Sequence, residues 1–518
     1  MGEKYIRPLG KVCPRCGCTG TFGKNKEEFF VKKFGTRVAA LGLCLAIGAT
    51  LSIGALADVT ANPSTHKVTV NGEASSVQGY NIDGSNYFKV RDLAEVLDLG
   101  VTWDAATSTV GIEKDGHYKA DEKTLMVGNW APATRERMQA VIDEYADSGR
   151  YVVFDFDNTS VIFDVEEALL VYQIENLRFK IAPDKLADVL ETQIPDLNKS
   201  LGTSVDGVDV TCAKLVADIV SDYTWLYENY EGFEGDKDLA YIHATNQYQD
   251  FAAKLRYMYS AVGDTFDAAV SYPWVTYLFT GMTSQEVYDL AAESHKYWAS
   301  YGRYATETWT SPVETPGQAG VITTSFTTGV TFTDELVDLY HTLMANGIDV
   351  YIISASFIDV IRAANDTMGY NIPDDHVYAM RNKMVDGVYT NEYDYDWGGE
   401  GLYAQTQAAG KSTVITNYIA PKYDGVGPLM VFGDSSGDWN MMTDWMEKGD
   451  TVLGVIFNRY RKTSDPIWNG SNEAAASIGD ADARFVLQGR DENTGELRPS
   501  EYSIMLGSTD EVLVRPAS

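Results

Sequence analysis

The sequence predicts an α/β protein: a parallel sheet interrupted by a large helical cap insertion and preceded by a small N-terminal α+β module. Three observations point there. The apolar runs YVVF (residues 151–154), IDVYIIS (348–354) and PLMVF (428–432) each read as a buried strand of the parallel type, and each ends in a polar loop. A long, mostly helical interval separates the first two. Residues 68–112 alternate apolar and polar positions around Asn-Gly and Asp-Gly turn signals.

At 518 residues the chain exceeds one compact core, so two or more folded units are expected. Hydrophobic residues at 45% and charged residues at 22% are globular proportions. The net charge of -33 disfavours nucleic acid or an anionic membrane, whose phosphates would be repelled, and suits cationic ligands and metal ions.

In chain order, Lys32, Lys33 and Arg37 precede the apolar run 38–57, which closes on Ala55-Leu56-Ala57, the small-x-small pattern of a cleavage site. Residues 1–57 are therefore a signal peptide, with Asp58 opening the mature chain, or an uncleaved membrane anchor of just sufficient length. Either reading is extracytoplasmic: secreted, or associated with the membrane or cell wall of a bacterium. Cys13, Cys16, Cys18 and Cys44 fall in this segment, leaving Cys212, which reads as buried helix, and no intramolecular disulfide. Cys13 and Cys16 have half-zinc-site spacing without a second pair, and Leu43 is bulkier than the residue usual before a lipidated cysteine.

Within residues 58–115, VTVNG, GYNIDGSNYFKV and VTWDAATSTVGI read as strands and hairpins and RDLAEVL as a helix. A polar linker follows at 114–125. Met138, Val141, Ile142 and Tyr145 then recur at helical spacing and lead into residues 116–518, the main unit. The interval between YVVF and IDVYIIS is far too long for a connection, so a folded insertion over approximately residues 165–325 is expected. KLADVLETQI, KLVADIVSDYTWLYENY and SQEVYDLAAESHKYWASY give it helical periodicity.

Ligands of open α/β sheets bind beyond the carboxyl ends of the strands, so the loops DFDNT, SAS and GDSSGD can converge. Asp155 and Asp157 alternate across a strand end, and a turn after Phe156 would bring both to one opening. Ser354 offers a hydroxyl, Lys411 a cation, and Asp434 and Asp438 further oxygens. Carboxylates this close repel one another unless a cation neutralises them, and an all-oxygen set suits Mg²⁺. Two rival motifs fail on single residues. The segment from Asp155 has the acids of an EF-hand loop but Ser160 at its glycine position, and AAGKS has Gln405 where a P-loop needs glycine.

FDFDNT, SAS, Gly410-Lys411 and GDSSGD, in that order, resemble the four motifs of the haloacid dehalogenase (HAD) superfamily in its phosphatase branch. The resemblance implies a Rossmann-like HAD core. It makes Asp155 the nucleophile and Asp157 the general acid and base, with Ser354 and Lys411 on the phosphoryl oxygens. Mg²⁺ is then held by the Asp155 and Asp434 carboxylates and the Asp157 carbonyl, with Asp438 behind or beside it. Asp157 argues against carbon–halogen chemistry, because the family's dehalogenases lack an acid there. Phosphoserine phosphatases of the superfamily carry an amino-reading acid nine residues after the nucleophile, here Asp164, with Glu166 and Glu167 close behind.

VVFDFDNTS, SYPWVTYLFTGMT and SASFIDVIR resemble exported bacterial phosphorylcholine phosphatases. That implies phosphorylcholine or a similar amino-alcohol phosphate as substrate, with Trp225, Tyr227, Tyr230, Trp274, Tyr277 or Trp298 offering ring faces to the ammonium or forming the cap's own core. The alternatives are a broad-specificity acid phosphatase and a catalytically inactive cell-envelope binding protein. NIDGSNYFKVRDLAEVL and VTWDAATSTVGI resemble the copper amine oxidase N-terminal-like domain, which implies cell-envelope contact. With only His66 and His117 at its edges, copper is not expected. His243, His295, His341 and His376 lack metal spacing and read as structural.

Overall fold

The computed structural model describes residues 62–517 other than 66, 71, 72, 76, 83, 84, 105–108 and 115. The N-terminal signal or anchor, its four cysteines and His66 lie outside the described residues. The chain divides into two compact units, Met1–Val96 and Leu97–Ser518. Among the described residues, no helix is long and apolar enough to cross a membrane.

In the first unit the expected hairpin is an antiparallel pair, Gly79–Ile82 with Ser85–Phe88, in the register Tyr80↔Tyr87. A short strand at Asn62–Pro63 joins its outer edge. The residues of its Asp83-Gly84 turn lie outside the described ones.

The second unit begins with an antiparallel hairpin, Gly100–Asp104 with Thr109–Glu113. His117 follows and is bonded through Nδ1 to Asp98 at 2.5 Å. Helix α1 (Pro132–Tyr145) starts on Pro132, whose missing N–H costs nothing in a first turn, and buries Met138, Val141 and Ile142. It leads into strand β1 (Tyr151–Phe154), buried on both faces.

The insertion then runs through α2 (Val165–Glu175), α3 (Cys212–Asn229), α4 (Asn246–Thr265) and α5 (Ser284–Tyr301). The chain returns to the sheet through α6 (Asp334–Ala345), β2 (Asp349–Phe357), α7 (Ile358–Thr367) and β3 (Val377–Met380). It ends through α8 (Ala409–Val414), β4 (Met430–Gly433), α9 (Ser436–Met446), β5 (Leu453–Phe457) and β6 (Phe485–Gln488).

The six strands pair in the order β3-β2-β1-β4-β5-β6, all parallel. This is a Rossmann-like α/β sheet, as expected from the apolar runs. Strand order reverses between β1 and β4, and there Phe154 stacks on Phe432 with ring centroids 3.9 Å apart. That reversal opens the crevice in which such sheets bind ligands. Three of the strands, β3, β5 and β6, were not anticipated, although LGVIF followed by a basic loop repeats the pattern used for the other three.

The insertion has its own core, built from residues such as Leu215, Ile219, Tyr223, Phe251, Leu255 and Trp274. Of the two roles the sequence leaves open for its aromatics, ring faces for a ligand or the cap's own core, most take the second. Trp274 donates to the Leu190 carbonyl at 2.8 Å and Tyr277 is fully buried, while Trp225, Tyr227 and Tyr230 pack against the same cluster. Trp298 is buried in the sheet-side core and donates to the Ala168 carbonyl at 2.8 Å. Cys212 is buried in the first turn of α3.

Inside the insertion, Lys254 of α4 is fully buried between Asp218 (2.8 Å) and Asp250 (2.7 Å). Asp218 also accepts the N–H groups of Gln318 and Ala319, pinning the loop before the sheet return to α3 and α4. Removing the ammonium would leave two buried carboxylates uncompensated. Lys254→Met should lower urea unfolding stability by about 3–5 kcal/mol, with Lys254→Met/Asp250→Leu recovering part of the loss. Unchanged stability in the single variant would refute this account.

Candidate active site

Four strand ends supply the site. After β1 the chain turns tightly: the Phe156 carbonyl accepts from the N–H groups of Thr159, Ser160 and Val161 at 2.7–3.2 Å. Asn158 takes the left-handed conformation (φ 60°), which asparagine tolerates better than most residues. The turn sends the two acids apart. Asp155 points to Lys411, whose Nζ donates to its Oδ1 at 2.5 Å, while Asp157 accepts from the Val165 N–H (2.7 Å) and the Ser356 hydroxyl (2.6 Å).

Beyond β4, Asp438 stands in the first turn of α9. Its Oδ2 accepts from the Asp434 N–H (2.9 Å) and the Ser435 N–H (3.1 Å), closing a capping box with Ser435. Its Oδ1 accepts from Lys411 at 2.7 Å. Gly433 permits this approach, since a Cβ there would lie 2.5 Å from the Asp438 Cβ. Gly410 does the same for Lys411, because an added Cβ would fall 1.8 Å from the Gln405 carbonyl oxygen. Lys411, expected at a helix start where lysines are usually solvated, is instead 2% exposed.

These groups face a cavity of about 370 Å³. Asp155, Asp157, Lys411, Asp434 and Asp438 line it, as do Asp164 and Glu166. Ser354 does not. It is fully buried beneath the wall, its Oγ accepting from the Ser356 N–H at 3.0 Å, and the hydroxyl facing the cavity is that of Ser356. The cap closes the cavity with Tyr259, Ser260 and Tyr272 in place of the six aromatics named from sequence. Two further cations line it from the loop after β5. Arg459 donates to Asp434 at 2.7 Å and Arg461 to Asp465 at 2.8 Å. Both follow the apolar run 453–457, so treating that run as a strand would have found them.

Burial drives the electrostatics. It pushes the Asp155 carboxyl well above the usual carboxylate range, the Asp438 charge adding to the effect and Lys411 opposing it. Asp157 is also raised strongly, by burial and then by the charge of Asp164. Burial works against the Lys411 charge, yet Asp155 and Asp438 together carry its pKa above the ordinary lysine value. Asp164 caps α2 by accepting from the Glu167 N–H at 2.8 Å. Glu166 accepts from the Phe357 N–H at 2.8 Å, while its Oε1 is buried with no hydrogen-bond partner among the described residues. Glu167 is engaged by Arg256 of α4.

Asp155, Asp434 and Asp438 each offer a carboxylate oxygen within 4.8 Å of the others. This buried, all-oxygen set fits a hard divalent cation such as Mg²⁺. The Asp157 carboxylate is not part of it. The four histidines read as structural each donate a ring N–H to a backbone carbonyl: His243 to Glu175, His295 to Val360, His341 to Gly369 and His376 to Val350.

No family model matches the chain. It is 26% identical over 332 residues to the phosphorylcholine phosphatase of Pseudomonas aeruginosa, covering 59% of this chain and 73% of that one. A crystal structure of a conserved protein of unknown function from Anaerococcus prevotii superposes with a TM-score of 0.66 at 30% identity. That match spans 74% of this chain and 99% of the other, so the two share a fold.

Burial holds the Glu166 carboxyl up to about 8 against an ordinary value of 4.5. Its neutral form is therefore the stable one in the folded state. The stability it contributes is intact below pH 4.5 and is lost as pH rises toward 8, with a slope of at most about 1.4 kcal/mol per pH unit. Urea melts between pH 5 and 8 should show that decline in the wild type and a flatter profile in Glu166→Gln. Parallel profiles would contradict it.

Proposed function

We propose that this chain, a phosphoric monoester hydrolase of the haloacid dehalogenase type, is an exported, Mg²⁺-dependent enzyme acting on phosphorylcholine or a similar amino-alcohol phosphate. The observation that carries this reading is the meeting of Asp155, Asp157, Lys411, Asp434 and Asp438 around one cavity at the point where strand order reverses.

In the proposed reaction an Asp155 carboxylate oxygen attacks phosphorus and the ester P–O bond breaks. Asp157 protonates the departing alcohol, leaving a phosphorylated Asp155. Asp157, now a base, takes a proton from water, whose oxygen attacks phosphorus and releases inorganic phosphate while restoring Asp155. Two features support this division. Asp157 stands away from the lysine among hydroxyl and backbone donors, where its raised pKa suits a proton donor, whereas Lys411 opposes the rise at Asp155 and keeps a cation beside the transferring phosphoryl group. Lys411 and the Ser356 or Ser354 hydroxyl would hold phosphoryl oxygens. Asp155, Asp434, Asp438 and the Asp157 carbonyl would hold Mg²⁺, which supplies charge neutralisation for the phosphoryl oxygens.

A cationic head group is supported by the oxygens that Asp164 and Glu166 present on the wall, Glu166 pairing with it once ionised, and by two rings, Tyr259 and Tyr272. The wall arginines are each already held by an aspartate. The likeness to a phosphorylcholine phosphatase points the same way. Residues 58–115, as a copper amine oxidase N-terminal-like module, would serve as a spacer or cell-envelope adaptor.

Phosphate release by the mature chain, assayed with phosphorylcholine, phosphoethanolamine, phosphoserine and p-nitrophenyl phosphate, should favour phosphorylcholine in kcat/KM and cease on chelation of divalent ions. Asp155→Asn should lose on the order of 10³-fold or more with the fold intact. Flat activity across the four esters would leave a broad-specificity phosphatase, and none from any would favour an inactive envelope-binding protein. Asp164→Asn should raise KM for the cationic esters more than for p-nitrophenyl phosphate. An equal change for both would remove Asp164 from head-group recognition.

A further inference from the structure

The turn that carries the two acids is gripped from outside its own strand. Arg490, in the segment after β6, is 1% exposed, and its Nη2 donates to the Asn158 Oδ1 at 3.0 Å while Nη1 donates to the Asn158 carbonyl at 3.3 Å. The guanidinium is itself fixed by Glu492, through Nη2 at 2.5 Å and Nε at 3.2 Å. Glu492 is tied in turn to the Leu506 N–H at 3.0 Å. Asn158 stands between Asp157 and Thr159 in the left-handed region, and Phe163, at the far end of the same turn, has φ 72°. The two are joined by the bond from the Asn158 N–H to the Phe163 carbonyl at 2.9 Å.

A turn with two such residues persists only where its surroundings hold it. A buried guanidinium bound to both the side chain and the carbonyl of one residue is a rigid, planar clamp that a lysine cannot reproduce. The Asn158 side chain is also a good reason for asparagine at this point: glycine would supply the backbone conformation but not the acceptor.

We propose that Arg490 is a positioning residue, whose clamp on Asn158 fixes the turn and thereby aims Asp155 toward Lys411 and Asp157 toward Ser356. The inference rests on the reading of Asp155 and Asp157 as the reacting acids, but its mechanical part, the holding of the turn, is testable without it. A structural ion pair with Glu492 alone would stabilise the domain and leave the acids' directions untouched.

The test compares the wild type with Arg490→Lys, Asn158→Gly and the double variant, measuring kcat, KM, thermal stability and amide hydrogen exchange in the peptide covering residues 155–163. Arg490→Met/Glu492→Leu, which removes both buried charges, guards against a single variant that fails to fold. Expected are a fall in kcat of about 10–100-fold with KM within about threefold, faster exchange confined to 155–163, and a double variant no worse than the worse single one. Wild-type kcat and exchange in Arg490→Lys would overturn the proposal, as would faster exchange spread over the whole domain. If the wild type hydrolyses no ester, the phosphatase reading fails by itself, and exchange in 155–163 still decides whether Arg490 holds the turn.

Discussion

Mutual repulsion among buried carboxylates is the constraint around which this structure is arranged. Asp155, Asp434 and Asp438 crowd together at the centre of the sheet, each nearly closed to solvent. Burial of that much like charge is tolerated only with cations in contact and hydrogen bonds to the remaining oxygens. Lys411 bridges Asp155 and Asp438, Arg459 meets Asp434, and the first turn of α9 gives Asp438 two backbone N–H groups. The negative charge that remains on these oxygens suits a divalent cation.

The same pressure explains why two acids one residue apart meet different partners. The turn after Phe156 sends Asp155 into the cationic cluster and Asp157 toward hydroxyl and backbone donors of neighbouring elements. One carboxyl thereby lies against a lysine, the other among neutral donors. Environment, and not residue type, sets them apart. Precision at this turn has a cost in backbone conformation at Asn158 and Phe163, which the contacts from Arg490 and the hydrogen bond across the turn offset.

The cap obeys a separate logic. Its aromatic residues mostly build a second core, and that rigidity lets α4 and the segment after it bring Tyr259, Ser260 and Tyr272 over the strand ends. Lys254, buried among cap acids, fastens the return loop to α3 and α4. The cap's share of the cavity wall is therefore a few residues carried on a scaffold stabilised elsewhere.

The sequence by itself determined the α/β class, the insertion and the positions of the acids. Apolar runs such as YVVF ending in polar loops report burial and strand ends directly, and the order of DFDNT, SAS, Gly410-Lys411 and GDSSGD is a property of the chain. Tertiary structure alone decided which hydroxyl of SAS faces the cavity, that Lys411 is buried, and that Arg459 and Arg490 reach the site from segments hundreds of residues away from Asp155. It also decided that Trp274, Tyr277 and Trp298 face cores while Tyr259 and Tyr272 face the cavity. Periodicity records how deeply a side chain is buried. What it is buried against depends on strand order and on the direction of each turn, and those are set by contacts between segments remote in sequence.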